Sequence, residues 1–244
     1  MHWSDQGLVL GLRRHGESAA IVELMTQGHG RCRGLVRGAF SRAARPVLQP
    51  GNLVAAQWRA RLEDQLGAFA LEPLSTRAAR YLDAAHALHG VSYLCEMLRL
   101  LPERDPYPEL WDMADAIAQD LPSLHRAPEL LARFEAALLA ALGFGLDLEA
   151  CALTGRRDDL AFVSPKTGRA VCRDAGTPWG DRLLPYPVLL AAPPGAPSSN
   201  AELADCWRLT GHFLARHVLE PRALALPQAR AAYQALAMRR PSGG

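Results

Sequence analysis

Glycine punctuation limits what the first 75 residues can become. Gly16, Gly28, Gly30, Gly38 and the pair Pro50-Gly51 cut this stretch into apolar runs too short to hold as helices. The runs at 7–13, 19–26, 30–38, 52–61 and 66–74 each read as a strand. Five short strands in about 75 residues fit a small closed barrel of the OB type, with an SH3-like barrel or a small sandwich as the open alternatives. After Pro73 the apolar period becomes helical. Ser75 or Thr76 can cap a helix carrying Leu82, Tyr93, Leu94, Met97, Leu98 and Leu101, and Asp105-Pro106 opens another that runs to about Leu121. "PELLARFEAALLAALG" has proline in its first turn and Gly143 as its stop. Asn200 can cap "AELADCWRLTGHFLARH", and "PQARAAYQALAMRR" forms a last amphipathic helix before a frayed "PSGG". The fold expected is α+β with two domains: a β-barrel at 1–75 and a mostly helical domain at 76–244.

Charge narrows the function. The net charge is only +2, yet between Arg13 and Arg61 nine arginines stand against Glu17 and Glu23. Such an excess on a near-neutral protein implies a polyanion partner. Along the third strand, alternation puts Arg31, Arg33 and Arg37 on one face and Cys32, Gly34 and Val36 on the other. Arg42 and Arg45 follow in an acid-free loop, so five positive charges between 31 and 45 form an unopposed stripe able to track phosphates. Arg59 and Arg61 share the outer face of the fourth strand, and Arg13 and Arg14 end the first. A solvated strand face made basic for solubility is the plainer reading, although such faces normally mix signs. Among the scarce aromatics, Trp58 points into the core and Phe40, beside the arginine loop, is the candidate for stacking bases.

Catalytic patterns are missing. There is no P-loop, dinucleotide fingerprint or paired-histidine metal helix, and Ser164 lacks a strand-turn-helix setting for a nucleophile. Five cysteines make no disulfide framework, and neither a signal segment nor an apolar run of membrane-spanning length is present, so a reducing, cytoplasmic setting is expected. Cys151 and Cys172 bracket a polar stretch as if they were half of a four-cysteine zinc site. The other ligand positions of such a site hold Thr154 and Ala175.

In order and spacing, "GLVLGLRRHGESAAIVELMTQGHGRCRGLVRGAFSR" (7–42), "LQPGN" (48–52) and "RFEAALLAALGFGLDLEAC" (133–151) resemble the RecO family. The resemblance implies an N-terminal OB-fold and a helical C-terminal domain that often holds zinc. It also implies binding of single- and double-stranded DNA, annealing of complementary strands, and cooperation with RecR in loading RecA onto DNA coated by single-strand binding protein. The expected setting is the cytoplasm, at the nucleoid. Zinc-bearing relatives use two C-x₂-C pairs; this chain keeps only the first cysteine of each, in a degenerate insertion at about 151–176 that reads as a hairpin-like remnant held by packing. Two thiolates do not make a structural zinc site, and completion by Asp158, Asp159 or Asp174 is the lesser reading, so no metal is expected. A disulfide between Cys151 and Cys172 stays open.

A mediator of this kind must also meet the acidic, apolar-ended tail of single-strand binding protein. Arg133 among the leucines of its helix, with Leu110 and Trp111 as an opposite wall, is a candidate for holding it; the plain alternative is helical core with Arg133 paired to a nearby acid. Two other functional readings stand beside the mediator. One is a helical adaptor whose barrel binds protein, and the other is an enzyme acting on nucleic acid.

Overall fold

The computed structural model describes residues 1–62, 65–196 and 198–239. They form two compact units. The first comprises Met1–Leu124 and Pro227–Tyr233, the second His125–Leu226 and the residues from Gln234 on. The expected frayed end, "PSGG", lies outside the described residues.

The first unit is built on a closed five-stranded barrel of order β1-β2-β3-β5-β4. Its strands are β1 (His2–His15), β2 (Ala19–Thr26), β3 (Gly30–Val36), β4 (Leu53–Arg59) and β5 (Ala68–Ser75). β1 is long because it serves two neighbours. Its first half pairs antiparallel with β4 from His2↔Arg59 to Leu8↔Leu53, and its second half pairs with β2 from Gly7↔Thr26 to His15↔Ala19. A register shift between Val9 and Gly11 bends the strand around the barrel. Parallel pairing of β3 with β5 at Leu35↔Ala68 closes the sheet, which is the OB arrangement. Period-two burial follows the sequence: Val54, Ala56 and Trp58 of β4 point inward, onto a core with Val22, Leu24, Val36 and Phe69. Gly34 is required where β3 meets β5, because a Cβ there would lie 2.5 Å from the Phe69 ring.

The change of period near residue 75 marks the end of the strands but not of the compact unit. Asn52, 1 % exposed, ties the pieces together. Its side-chain amide donates to the carbonyls of Pro46 (2.7 Å) and Val47 (3.1 Å), both in the short helix α1 (Ala44–Val47). Its Oδ1 accepts the Ala78 N–H at 2.9 Å and so caps helix α2 (Ala78–Tyr81). The helix expected from residue 76 to 101 is therefore two, α2 and α3 (Ala85–Leu98), separated by extended backbone at Ala84. Leu82, placed by sequence on the apolar face, falls in this break and is 72 % exposed. Helix α4 (Pro108–Asp120) starts at Pro108, two residues after the Asp105-Pro106 step expected to open it, with Tyr107 at the cap position, and ends beside Leu121 as expected.

The second unit packs helix α5 (Ala127–Ala141) against α8 (Asn200–Phe213). Leu131, Phe134, Leu138, Leu203, Trp207 and Phe213 are buried. The buried Thr210 hydroxyl donates to the fully buried Glu135 carboxylate. Between these helices in sequence come β6 (Leu160–Val163), β7 (Ala170–Cys172), α6 (Arg173–Gly176), β8 (Leu184–Pro185) and α7 (Val188–Ala191). The three strands form a small antiparallel sheet of order β7-β6-β8. After α8 the chain continues as a π-helical turn at Leu214–Leu219, and Pro227–Tyr233 carries the first residues of α9 (Gln228–Ala237).

The cap of α8 is Ser199 rather than Asn200. Ser199 and Glu202 make a reciprocal capping box: the Glu202 N–H donates to the Ser199 hydroxyl oxygen at 3.1 Å, and the Ser199 N–H donates to the Glu202 carboxylate at 2.7 Å. Ser199→Ala is expected to cost about 1 kcal/mol in chemical denaturation. Glycine at the same position should recover most of the loss.

Candidate nucleic-acid interface

The strand alternation holds. Arg33 is exposed and Arg31 partly exposed on the outer face of β3, while Cys32, Gly34 and Val36 are buried; Arg37, also exposed, lies in the turn just past the strand. The stripe, however, is not unopposed. Arg31 donates from Nη1 to Glu23 Oε1 at 2.5 Å and from Nε to the Leu101 carbonyl at 3.0 Å. Arg33 Nη2 lies 2.8 Å from Glu103 Oε1, and Arg99 donates from Nε to Glu23 Oε2 at 2.7 Å and from Nη2 to the Leu10 carbonyl, also at 2.7 Å. Three arginines (31, 33 and 99) against two glutamates (23 and 103) leave one net positive charge. Glu23 sits across β2–β3 from Arg33 in the sheet register, and Glu103 arrives from the segment after α3, which no local charge count could anticipate.

Burial alone would raise the Glu23 carboxyl. Hydrogen bonds from Arg99 and Arg31, reinforced by their charges, outweigh it and hold the group below the ordinary glutamate value. Glu23 is thus an anionic clamp that fixes two arginine side chains.

The remaining predicted cations are freer. Arg37, Arg42, Arg45, Arg59 and Arg61 are exposed and make no ion pair with a described residue. Arg13 and Arg14 are exposed at the end of β1. The Arg14 guanidinium lies 4.5 Å from the centre of the Phe40 ring. Phe40 is half-buried against the barrel core, so Arg14 takes the ring that sequence offered for base stacking.

A different set of rings is assembled instead. Trp3 stacks on Trp58 (centroids 5.6 Å apart, planes at 13°) and on His29 (4.2 Å, 10°), with Phe69 edge-on to Trp3 at 6.0 Å. Sequence reading missed this column because it began the first strand at residue 7. The β1–β4 register that places Trp3 opposite Trp58 is a pairing between segments far apart in sequence.

In the second unit Arg133 does not present a free rim cation. It donates from Nε to Glu129 at 2.8 Å and from Nη2 to the carbonyls of Ala192 (2.9 Å) and Pro193 (3.1 Å), in line with the plain alternative of a residue paired within the helical core. Leu110 and Trp111 are buried within the first unit.

The cysteine pair does not fit a structural zinc. Cys151 and Cys172 are buried free thiols that pack with Val171, and Ala175 closes the cluster together with Leu160, Phe162 and Leu183. The Thr154 hydroxyl lies 3.6 Å from the Cys172 sulfur. Ala175 supplies no donor atom, and Asp158 and Asp174 face Arg156 at 2.7 and 3.6 Å, while Asp159 accepts from Arg173 at 3.2 Å. Among the described residues no group of three or more metal-binding side chains is gathered. Burial pushes the Cys151 thiol up, but hydrogen bonds from the Thr154 hydroxyl and from the backbone of Cys172, Leu153 and Thr154 bring it down to about 6. The loop thus still wraps a sulfur with donors but presents only two of them.

Two family models match the chain in tandem. "Recombination protein O N terminal" covers residues 1–76, and "Recombination protein O C terminal" covers residues 82–224. Curated proteins named DNA repair protein RecO are similar over nearly the whole chain. The one from Chelativorans sp. (strain BNC1) is 56 % identical over 98 % of this chain and 96 % of its own length. Those from Rhizobium rhizogenes (94 % of this chain, 89 % of the relative) and Xanthobacter autotrophicus (96 % of each) are both 53 % identical. No helix among the described residues is long and apolar enough to cross a membrane.

Proposed function

The chain belongs to the RecO family of DNA repair proteins, and on that premise we propose that it is a non-enzymatic recombination mediator. In this reading it binds single- and double-stranded DNA at the nucleoid, anneals complementary strands, and acts with RecR to load RecA onto DNA covered by single-strand binding protein. The observation that carries the reading is the group of exposed arginines at 37, 42, 45, 59 and 61 on an OB barrel, none of them paired with an acid among the described residues. Guanidinium forks of this kind take phosphates from either strand form and carry little base preference. Annealing needs only that two strands be held together with their charges screened, so no catalytic group is required.

The test is annealing of complementary oligonucleotides, naked and coated with single-strand binding protein, with and without RecR. Acceleration on naked strands that extends to coated strands when RecR is added is the expected result. A protein that neither binds nor anneals DNA, while its barrel captures a protein partner, would replace the reading with that of an adaptor.

The cysteine pair is proposed to hold no zinc. Elemental analysis is expected to find none at stoichiometric level, and chelation should leave the melting temperature unchanged. One zinc per chain would overturn this and would implicate Asp174 as a substitute ligand.

A further inference from the structure

We propose that the barrel carries a stacking pocket for a single unpaired nucleobase, formed where the column Trp58–Trp3–His29 opens into a cavity. This rests on the DNA-binding reading above and names one of its subsites. Three near-parallel rings make a platform that any flat base can extend, because every base has a π-face. The inner ring is fixed: Trp58 is 4 % exposed and its Nε1 donates to the Leu66 carbonyl at 3.3 Å. The outer ring, His29, keeps 39 % of its side chain exposed. Beside it lies a cavity of about 540 Å³, within the range that holds small ligands.

The outer ring is held in place before any ligand arrives. Nδ1 of His29 donates to Asp5 Oδ2 at 2.9 Å, and the same oxygen accepts the Gly28 N–H at 2.8 Å. Little side-chain freedom therefore remains to be lost when a base docks.

The charge around the cavity suits a base that carries phosphate. No acid lines it among the described residues, whereas Arg104 does, with its guanidinium 5.7 Å from the Trp58 ring. Arg104 also donates to the Gln65 carbonyl at 2.7 Å and adopts a left-handed backbone (φ 61°). Such a conformation is costly for a residue with a long side chain and is found where a site needs a group aimed. Met1 also lines the cavity, its backbone nitrogen donating to the Ala60 carbonyl at 2.7 Å. Stacked rings with a basic side chain at their edge are what a single-stranded nucleotide engages, its base on the rings.

The test compares oligothymidylate with an abasic deoxyribose-phosphate oligomer of equal length, both binding the full chain. The wild type is expected to prefer the base-bearing strand by about fivefold to a hundredfold. His29→Gln retains a donor for Asp5 but has no ring face. It should remove most of this preference while leaving abasic binding and the salt slope unchanged. His29→Phe, which restores a ring, should restore the preference even without the Asp5 hydrogen bond. A His29→Gln protein with wild-type preference, or a wild type with none, would overturn the pocket while leaving the phosphate-binding reading intact. Failure to bind either oligomer would instead remove the DNA reading, and the pocket with it.

Discussion

Replacing Arg37, Arg42 and Arg45 together with alanine is expected to weaken single-stranded DNA binding about fifty-fold at about 0.15 M salt. Each arginine–phosphate pairing removed should flatten the slope of log affinity against log salt by roughly 0.7, so three should flatten it by roughly 2. The weakening should be similar for all sequences, because these side chains meet the backbone and not base edges. Arg37 and Arg42 lie just past β3, and Arg45 lies in α1, all exposed and without a carboxylate partner among the described residues. Their removal should therefore leave the melting temperature close to wild type. Arg31 supplies the contrast. Its guanidinium is shared between Glu23 and the Leu101 carbonyl, so Arg31→Ala should cost stability while leaving the salt slope nearly unchanged. An unchanged slope in the triple variant would place the DNA path on another surface.

Glu23→Ala is expected to destabilise the fold by about 3 kcal/mol in urea denaturation. The Glu23 side chain is 15 % exposed and that of Arg31 16 %, so deletion of the carboxylate leaves a largely buried guanidinium with only the longer 3.5 Å contact to Glu103, which Arg33 already holds at 2.8 Å. The Arg99 side chain, 37 % exposed, adds less because water screens it. The pH dependence follows from the direction of the shift. The folded carboxyl titrates below its ordinary value of 4.5, so its contribution is complete above that value and is lost as pH falls through the lower folded one. The gap between wild type and variant should hold from neutrality to about pH 4.5 and close at more acid pH. A variant within about 0.5 kcal/mol of wild type, a difference ordinary for surface substitutions, would show that water already supports these arginines.

Much of the barrel could be read from the sequence because its signals are local. β2 falls where its alternation placed it, and glycine turns delimit β3. β1, in contrast, begins at His2 rather than residue 7, since "HWSDQ" has no apolar run and is held in the sheet by β4, a distant partner. The same cause explains the corrections at the candidate interface. Arginines could be assigned to faces from period two alone, but the glutamate that neutralises Arg33, Glu103, arrives from far along the chain, beyond α3. The stacking column is illegible in the sequence for that reason too, as it joins β1, the β2–β3 turn and β4. In the second unit the long amphipathic helices were legible, and the stretch between Cys151 and Cys172 read as hairpin-like, which the antiparallel pair β6–β7 forms; β8, with two residues, shows no period to read.

Asn52 immediately precedes β4, and its amide meets three separate backbone groups at fixed distances. A slip of β4 by a single residue would turn Val54, Ala56 and Trp58 outward and would also withdraw all three hydrogen bonds at once. Misaligned pairing is thus penalised twice, once in apolar burial and once in stranded polar groups. The short side chain behaves as a register pin: the strand can close the barrel in only one alignment, and that alignment is the one that allows α2 to start.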